Sequence, residues 1–124
     1  MRSGFRRLAA YEAAARLSDD LYRVVAGWRS LEQWSLGVQL LRAVDSVGAN
    51  IAEGCGRSSD ADTRRCLHIA LGSACETLNH ALLARDLGLL DDERFALVES
   101  HLAPVRRMLV RLIERISAPR RRQP

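Results

Sequence analysis

Apolar residues recur at three- and four-residue steps along nearly the whole chain, the period of an amphipathic α-helix. The first such stripe is Tyr11, Ala14, Leu17, Leu21, Val24 and Trp28, with Arg16, Asp19, Asp20 and Arg23 opposite it. It predicts a helix over about residues 8–27, followed by a connection from Ser30 to Ser35. Ser35 is the expected N-cap of a second helix, about 35–54, whose stripe is Leu36, Leu40, Val44, Val47 and Ile51. Gly37 and Gly48 lie inside that helix at a cost of about 1 kcal/mol each relative to Ala, which points to close approach by a neighbour. Gly54 and Gly56 predict its glycine-type end. Ser59, with Asp62 three residues on, predicts the start of a third helix, about 59–87. Its stripe is Leu67, Ala70, Ala74, Leu78, Ala81 and Leu82, and Gly88 stops it. A fourth helix, about 91–116, opens on Asp91 and Asp92, acids that suit a helix N-terminus. Its seam is a strict heptad of Phe95, Val98, Leu102, Val105, Leu109, Leu112 and Ile116. The phase runs unbroken across Pro104, predicting one kinked helix. The expected fold is an all-α, antiparallel, up-down-up-down four-helix bundle over residues 1–117, with a basic disordered tail at 118–124.

Composition adds constraint. With 48% hydrophobic and 27% charged residues the chain has a globular balance. No apolar run approaches membrane-spanning length, and Glu12, Asp19 and Asp20 argue against a signal or transit peptide. Cys55, Cys66 and Cys75 are odd in number and lack CxxC spacing, which fits buried thiols in a reducing cytoplasm. All 19 basic residues are Arg, so lysine-dependent Schiff-base and P-loop chemistry is excluded. The net charge of +4 is uneven. From Arg94 to Pro124 there are eight Arg against Glu99 and Glu114, whereas the preceding residues are slightly acidic.

Catalytic chemistry is thin. Glu76 and His80 are four apart, where a di-iron bundle needs Glu-x-x-His, and Arg65 stands three residues before His68, so no metal or other cofactor is expected. Ser46 and Ser73 are mid-helix, with no strand-turn-helix to expose a nucleophile. Glu53, near a helix C-terminus, is expected to pair with Arg57 or Arg42. Trp28, Tyr11, Tyr22 and Phe95 are expected in packing. The one stripe with a binding chemistry is Arg107, Arg111 and Arg115, at i, i+4 and i+8 and away from the seam. Arg106 flanks it, and Arg120, Arg121 and Arg122 extend it. Arg forms bidentate contacts to phosphate, so this face predicts RNA or DNA binding, against the alternative of a solvated helix face.

Two blocks carry a resemblance. The first is Gln39, Arg42-Ala43, Ser46, Asn50-Ile51-Ala52-Glu53-Gly54 and Gly56-Arg57. The second is Leu67, Ile69-Ala70, Gly72-Ser73, Glu76 and Leu87-Gly88. In this order the chain resembles, over about residues 5 to 116, the four-helix-bundle family named for proteins encoded in intervening sequences of bacterial 23S ribosomal RNA. The resemblance implies a non-enzymatic protein that assembles into a homopentamer. It is similar too to accessory variability proteins of diversity-generating retroelements, which implies nucleic acid and a reverse transcriptase as partners. On this resemblance Gln39, Arg42, Asn50, Glu53, Gly54, Arg57, Gly72, Ser73 and Glu76 are fold and assembly determinants. Asn50 and Glu53 are expected to cap and bridge the turn between the second and third helices. An adaptor that docks a protein partner, without contacting RNA, is the alternative function.

Overall fold

The computed structural model describes residues 4, 5 and 8–117, and no strand occurs among them. The elements are α1 (Ala9–Ala26), α2 (Ser30–Glu32), a π-helical turn (Gln33–Gly37), α3 (Val38–Cys55), α4 (Asp60–Asp86) and α5 (Asp92–Ser117). Four of these are long. Each packs against two neighbours, α1 and α4 both lying on α3 and α5. With short connections throughout, this is the up-down-up-down bundle. Its centre holds Leu21, Leu40, Ile51, Leu67, Leu102 and Leu109, all fully buried. Each contributes roughly 1.5–3 kcal/mol of apolar transfer free energy. Among the described residues no helix is long and apolar enough to cross a membrane. Residues 118–124, the expected tail with Arg120, Arg121 and Arg122, lie outside the described residues.

The start of the second helix differs from the sequence expectation. Ser30 to Ser35 is not a connection but a helical lead-in to α3. Ser35 is no N-cap, for its hydroxyl donates to the Leu31 carbonyl at 2.8 Å. The reason is tertiary. The Gln33 amide donates to the carbonyls of Val25 (3.1 Å) and Ala26 (3.0 Å), satisfying the open end of α1. The π-helical turn then brings Leu36 and Gly37 into the interior. A Cβ at Gly37 would lie 2.7 Å from Val25 Cγ1 and 3.2 Å from the Glu32 carbonyl, so any larger residue there would force Val25 or the turn to shift.

Gly56 is not a left-handed helix end, since it has an ordinary φ of −88°. Gly54 is the glycine that packing needs there: an added Cβ would sit 3.2 Å from the Cβ of Cys66. The Thr63 hydroxyl donates to the Gly54 carbonyl at 3.0 Å, closing the α3–α4 turn. Ser59 caps α4 as expected, accepting from the Asp62 N–H at 3.2 Å. Gly88, with φ of 77°, ends α4, and the Leu89 N–H returns to the Ala84 carbonyl at 2.9 Å. Asp91 accepts from the Arg94 N–H at 2.7 Å and opens α5.

α5 runs through Pro104 as one helix. Its buried seam is Phe95, Val98, Leu102, Val105, Leu109 and Ile113. Leu112 and Ile116, the last two heptad positions, are only partly buried. A straight helix at 3.6 residues per turn drifts against a 3.5 repeat, so after two heptads the core takes the next residue. The same slip in α1 puts Ala10 and Val25 in the core, with Tyr11, Val24 and Trp28 at its edge.

Candidate nucleic-acid interface

Off the seam, α5 turns Arg106, Arg107, Arg111 and Arg115 to solvent. None of the four is engaged in a hydrogen bond or ion pair among the described residues. Such guanidinium groups keep their full donor capacity for an external anion. They also line concave surface. Between α4 and α5 runs a groove of about 580 Å3, floored by Leu71, Cys75, Ala103 and Val110 and rimmed by Arg106, Arg107, Arg111 and Glu114. On the other side of α5 a smaller groove, about 220 Å3, lies between Ala9 and Ala10 of α1 and Met108, Arg111, Leu112 and Arg115. Arg111 belongs to both.

The groove floor escaped the sequence reading. Leu71 and Cys75 are one turn apart on α4, and Val110 sits off the α5 seam among arginines, 40% exposed. An apolar residue inside a charged face was the available signal. Cys75 also departs from the expectation of buried thiols: Cys55 and Cys66 are buried and Cys75 is exposed. Burial pushes the Cys55 thiol above its ordinary pKa.

The motif residues do not form one site. Asn50 does not cap the α3–α4 turn. Its amide donates to the carbonyl of Ser46 at 2.8 Å and to the Ser46 hydroxyl at 3.0 Å, one turn back in its own helix. The Ser73 hydroxyl donates to Ser46 at 2.8 Å, making a polar staple between α3 and α4. A mid-helix amide has no free turn N–H in reach, so it bonds backward. Glu53 pairs with Arg57, one of its two expected partners, across the helix end and not across the turn. That hydrogen bond and charge hold the Arg57 guanidinium protonated above its ordinary range. Gln39 and Arg42 of α3 line a surface groove of about 420 Å3 with Glu76 of α4 and Trp34. Glu76 meets His80 at 3.4 Å. Gly72 is exposed, and an added Cβ there would meet nothing within 4 Å. Among the described residues no cluster of three or more His, Cys, Asp or Glu side chains is placed to hold a metal ion.

An antiparallel four-helix bundle with an unpaired arginine face is the class these observations define. The family model for the 23S rRNA-intervening sequence protein matches residues 6–111, and the chain belongs to that family. The match takes in Arg106, Arg107 and Arg111 and stops before Arg115. Among curated proteins none matches. A similar solved structure is a crystal structure of a protein of unknown function from the S23 ribosomal protein family of Bacteroides thetaiotaomicron. It is 22% identical, with a TM-score of 0.79 over 85% of this chain and 95% of that one, a likeness of fold.

Proposed function

We propose that the protein is a non-enzymatic, self-assembling bundle that binds structured RNA through α5. The observation that carries this reading is the set of four exposed arginines, Arg106, Arg107, Arg111 and Arg115, without partners among the described residues. Arg120, Arg121 and Arg122 add charge in sequence to the same end. Unpaired arginines grouped on one helix face are the footprint of phosphate recognition. The name of the family directs the choice of probe to ribosomal RNA. Titration of a ribosomal RNA stem-loop at several salt concentrations tests the reading. Affinity should fall as salt rises, with a log–log slope of about −3 to −4 for four phosphate contacts. The triple variant Arg107→Glu, Arg111→Glu, Arg115→Glu should abolish binding with the fold intact. Salt-independent affinity, or affinity unchanged in that variant, refutes it.

Self-assembly, as a pentamer on the family likeness, draws support from the α3–α4 face. Gln39, Arg42, Gly72 and Glu76 are motif residues that face outward, and Gly72 answers to no packing need within one chain. The adaptor reading has a separate observation behind it. Leu31 and Trp34, at the lead-in to α3, are 77% and 81% exposed, suited to docking a protein such as a reverse transcriptase. Recovery of a defined protein partner after nuclease treatment, lost in Trp34→Ala, would favour it.

A further inference from the structure

Arg106, Arg107 and Glu114 lie one helical turn either side of Val110, and Arg111 follows it directly, so one exposed aliphatic side chain is ringed by charge. Leu71 and Cys75 complete the floor from α4. A groove of about 580 Å3 falls in the range of about 300–1,000 Å3 typical of small-molecule sites. Its chemistry is mixed. The three arginines need an anion. The floor needs something apolar and flat enough to cover it. The exposed Glu114 carboxylate accepts hydrogen bonds and repels bare phosphate, which favours an occupant that also carries a donor.

An RNA duplex supplies the phosphates and, through its 2′-hydroxyls, the donor, but offers no exposed base face to cover the apolar floor. Its bases are stacked inside, its phosphates are outside, and the cylinder is too wide to settle into a surface groove between two packed helices. An unpaired nucleotide meets all three. It has a phosphate for the arginines, a base face for Val110 and Leu71, and amino or imino hydrogens for Glu114. Arginine planes can themselves stack on a base. Resting on the reading of α5 as an RNA-binding face, we infer that the α4–α5 groove seats an unpaired nucleotide of single-stranded or looped RNA. Duplex RNA touches only the rim.

The exposed thiol of Cys75 in the floor, set against the buried Cys55 and Cys66, gives a direct footprint. Alkylation of Cys75 by iodoacetamide is followed in the whole protein, with Cys75→Ser confirming the labelled site. A single-stranded oligoribonucleotide at ten times its Kd should slow alkylation about tenfold. A blunt duplex of the same sequence at ten times its own Kd should leave the rate unchanged. Val110→Ser should weaken single-strand binding about fivefold and leave duplex binding alone. Val110→Phe should tighten single-strand binding about tenfold. Equal protection by strand and duplex, or equal loss of both in Val110→Ser, overturns the groove assignment while leaving the arginine face standing. Protection by polyglutamate as strong as by RNA gives the groove to an acidic protein partner and overturns it too. Loss of all salt-dependent RNA binding overturns the arginine reading and this inference together.

Discussion

Asp45 accepts two hydroxyl hydrogen bonds from α1, Ser18 Oγ to one oxygen and Tyr22 OH to the other, each at 2.6 Å. Sequence reading assigns Tyr22 to packing; it is instead half exposed and serves as a donor that pins α1 to α3. The hydrogen bond to the carboxylate, then desolvation and the Asp45 charge, raise the Tyr22 pKa above its ordinary value near 10. A raised phenol pKa favours the neutral form in the folded state. The stability it contributes is fully present below about pH 10 and is lost as pH rises through the folded value. The difference in 295 nm titration between the native protein and Tyr22→Phe should show this phenol ionising late. In Asp45→Asn it should return toward about 10. No return in that variant would refute the contact. Gly54 offers a second check at this scale. A Cβ there needs Cys66 to move a few tenths of an ångström, and larger side chains displace the α3–α4 turn. Gly54→Val should cost roughly 1–3 kcal/mol by overpacking, read as a lower denaturation midpoint at unchanged m-value.

Legibility varies with how locally each element is determined. α4 and α5 are readable in the sequence because their ends are fixed by their own residues: Ser59 and Asp91 cap, and Gly88 takes the left-handed position. The lead-in to α3 is not readable, because it is helical through Gln33 reaching the α1 carbonyls, a contact no local pattern announces. The arginine stripe is legible on α5 alone. Its groove is not, because the floor takes Leu71 and Cys75 from one helix and Val110 from another. The heptad on α5 over-reads regularity by one residue at its end, where Ile113 replaces Leu112. Pro104 sits within this element and removes an i→i−4 hydrogen bond without ending the helix. Pro104→Ala restores that bond and should stabilise the protein by up to about 3 kcal/mol. A thermal midpoint that falls would mean that Pro104 sets a bend which the packing of α5 requires.

At the scale of the molecule, two outward faces have different owners. The α5 arginines are an electrostatic face, whereas Gln39 and Arg42 of α3 make no hydrogen bond or ion pair among the described residues, and the space around Gly72 of α4 is open. If the second face joins copies, assembly repeats the first around a ring. Repetition changes binding more than any single contact does, since linked sites gain roughly 10²- to 10⁴-fold in avidity when the geometry lets them engage together. Gly72 separates assembly from folding. Its surroundings are open, so Gly72→Gln adds bulk without an internal clash, and Gln is the better helix former by several tenths of a kcal/mol. The variant should keep or slightly raise its thermal midpoint. In light scattering it should run as a smaller species than the native protein. Its affinity for a long ribosomal RNA should fall by about 100-fold, while its affinity for a short single strand, which one copy can hold, should not change. A variant that assembles normally would show that the open space at Gly72 faces solvent in the oligomer as it does in the single chain. A variant that falls apart yet binds long RNA undiminished would show that one arginine face is sufficient.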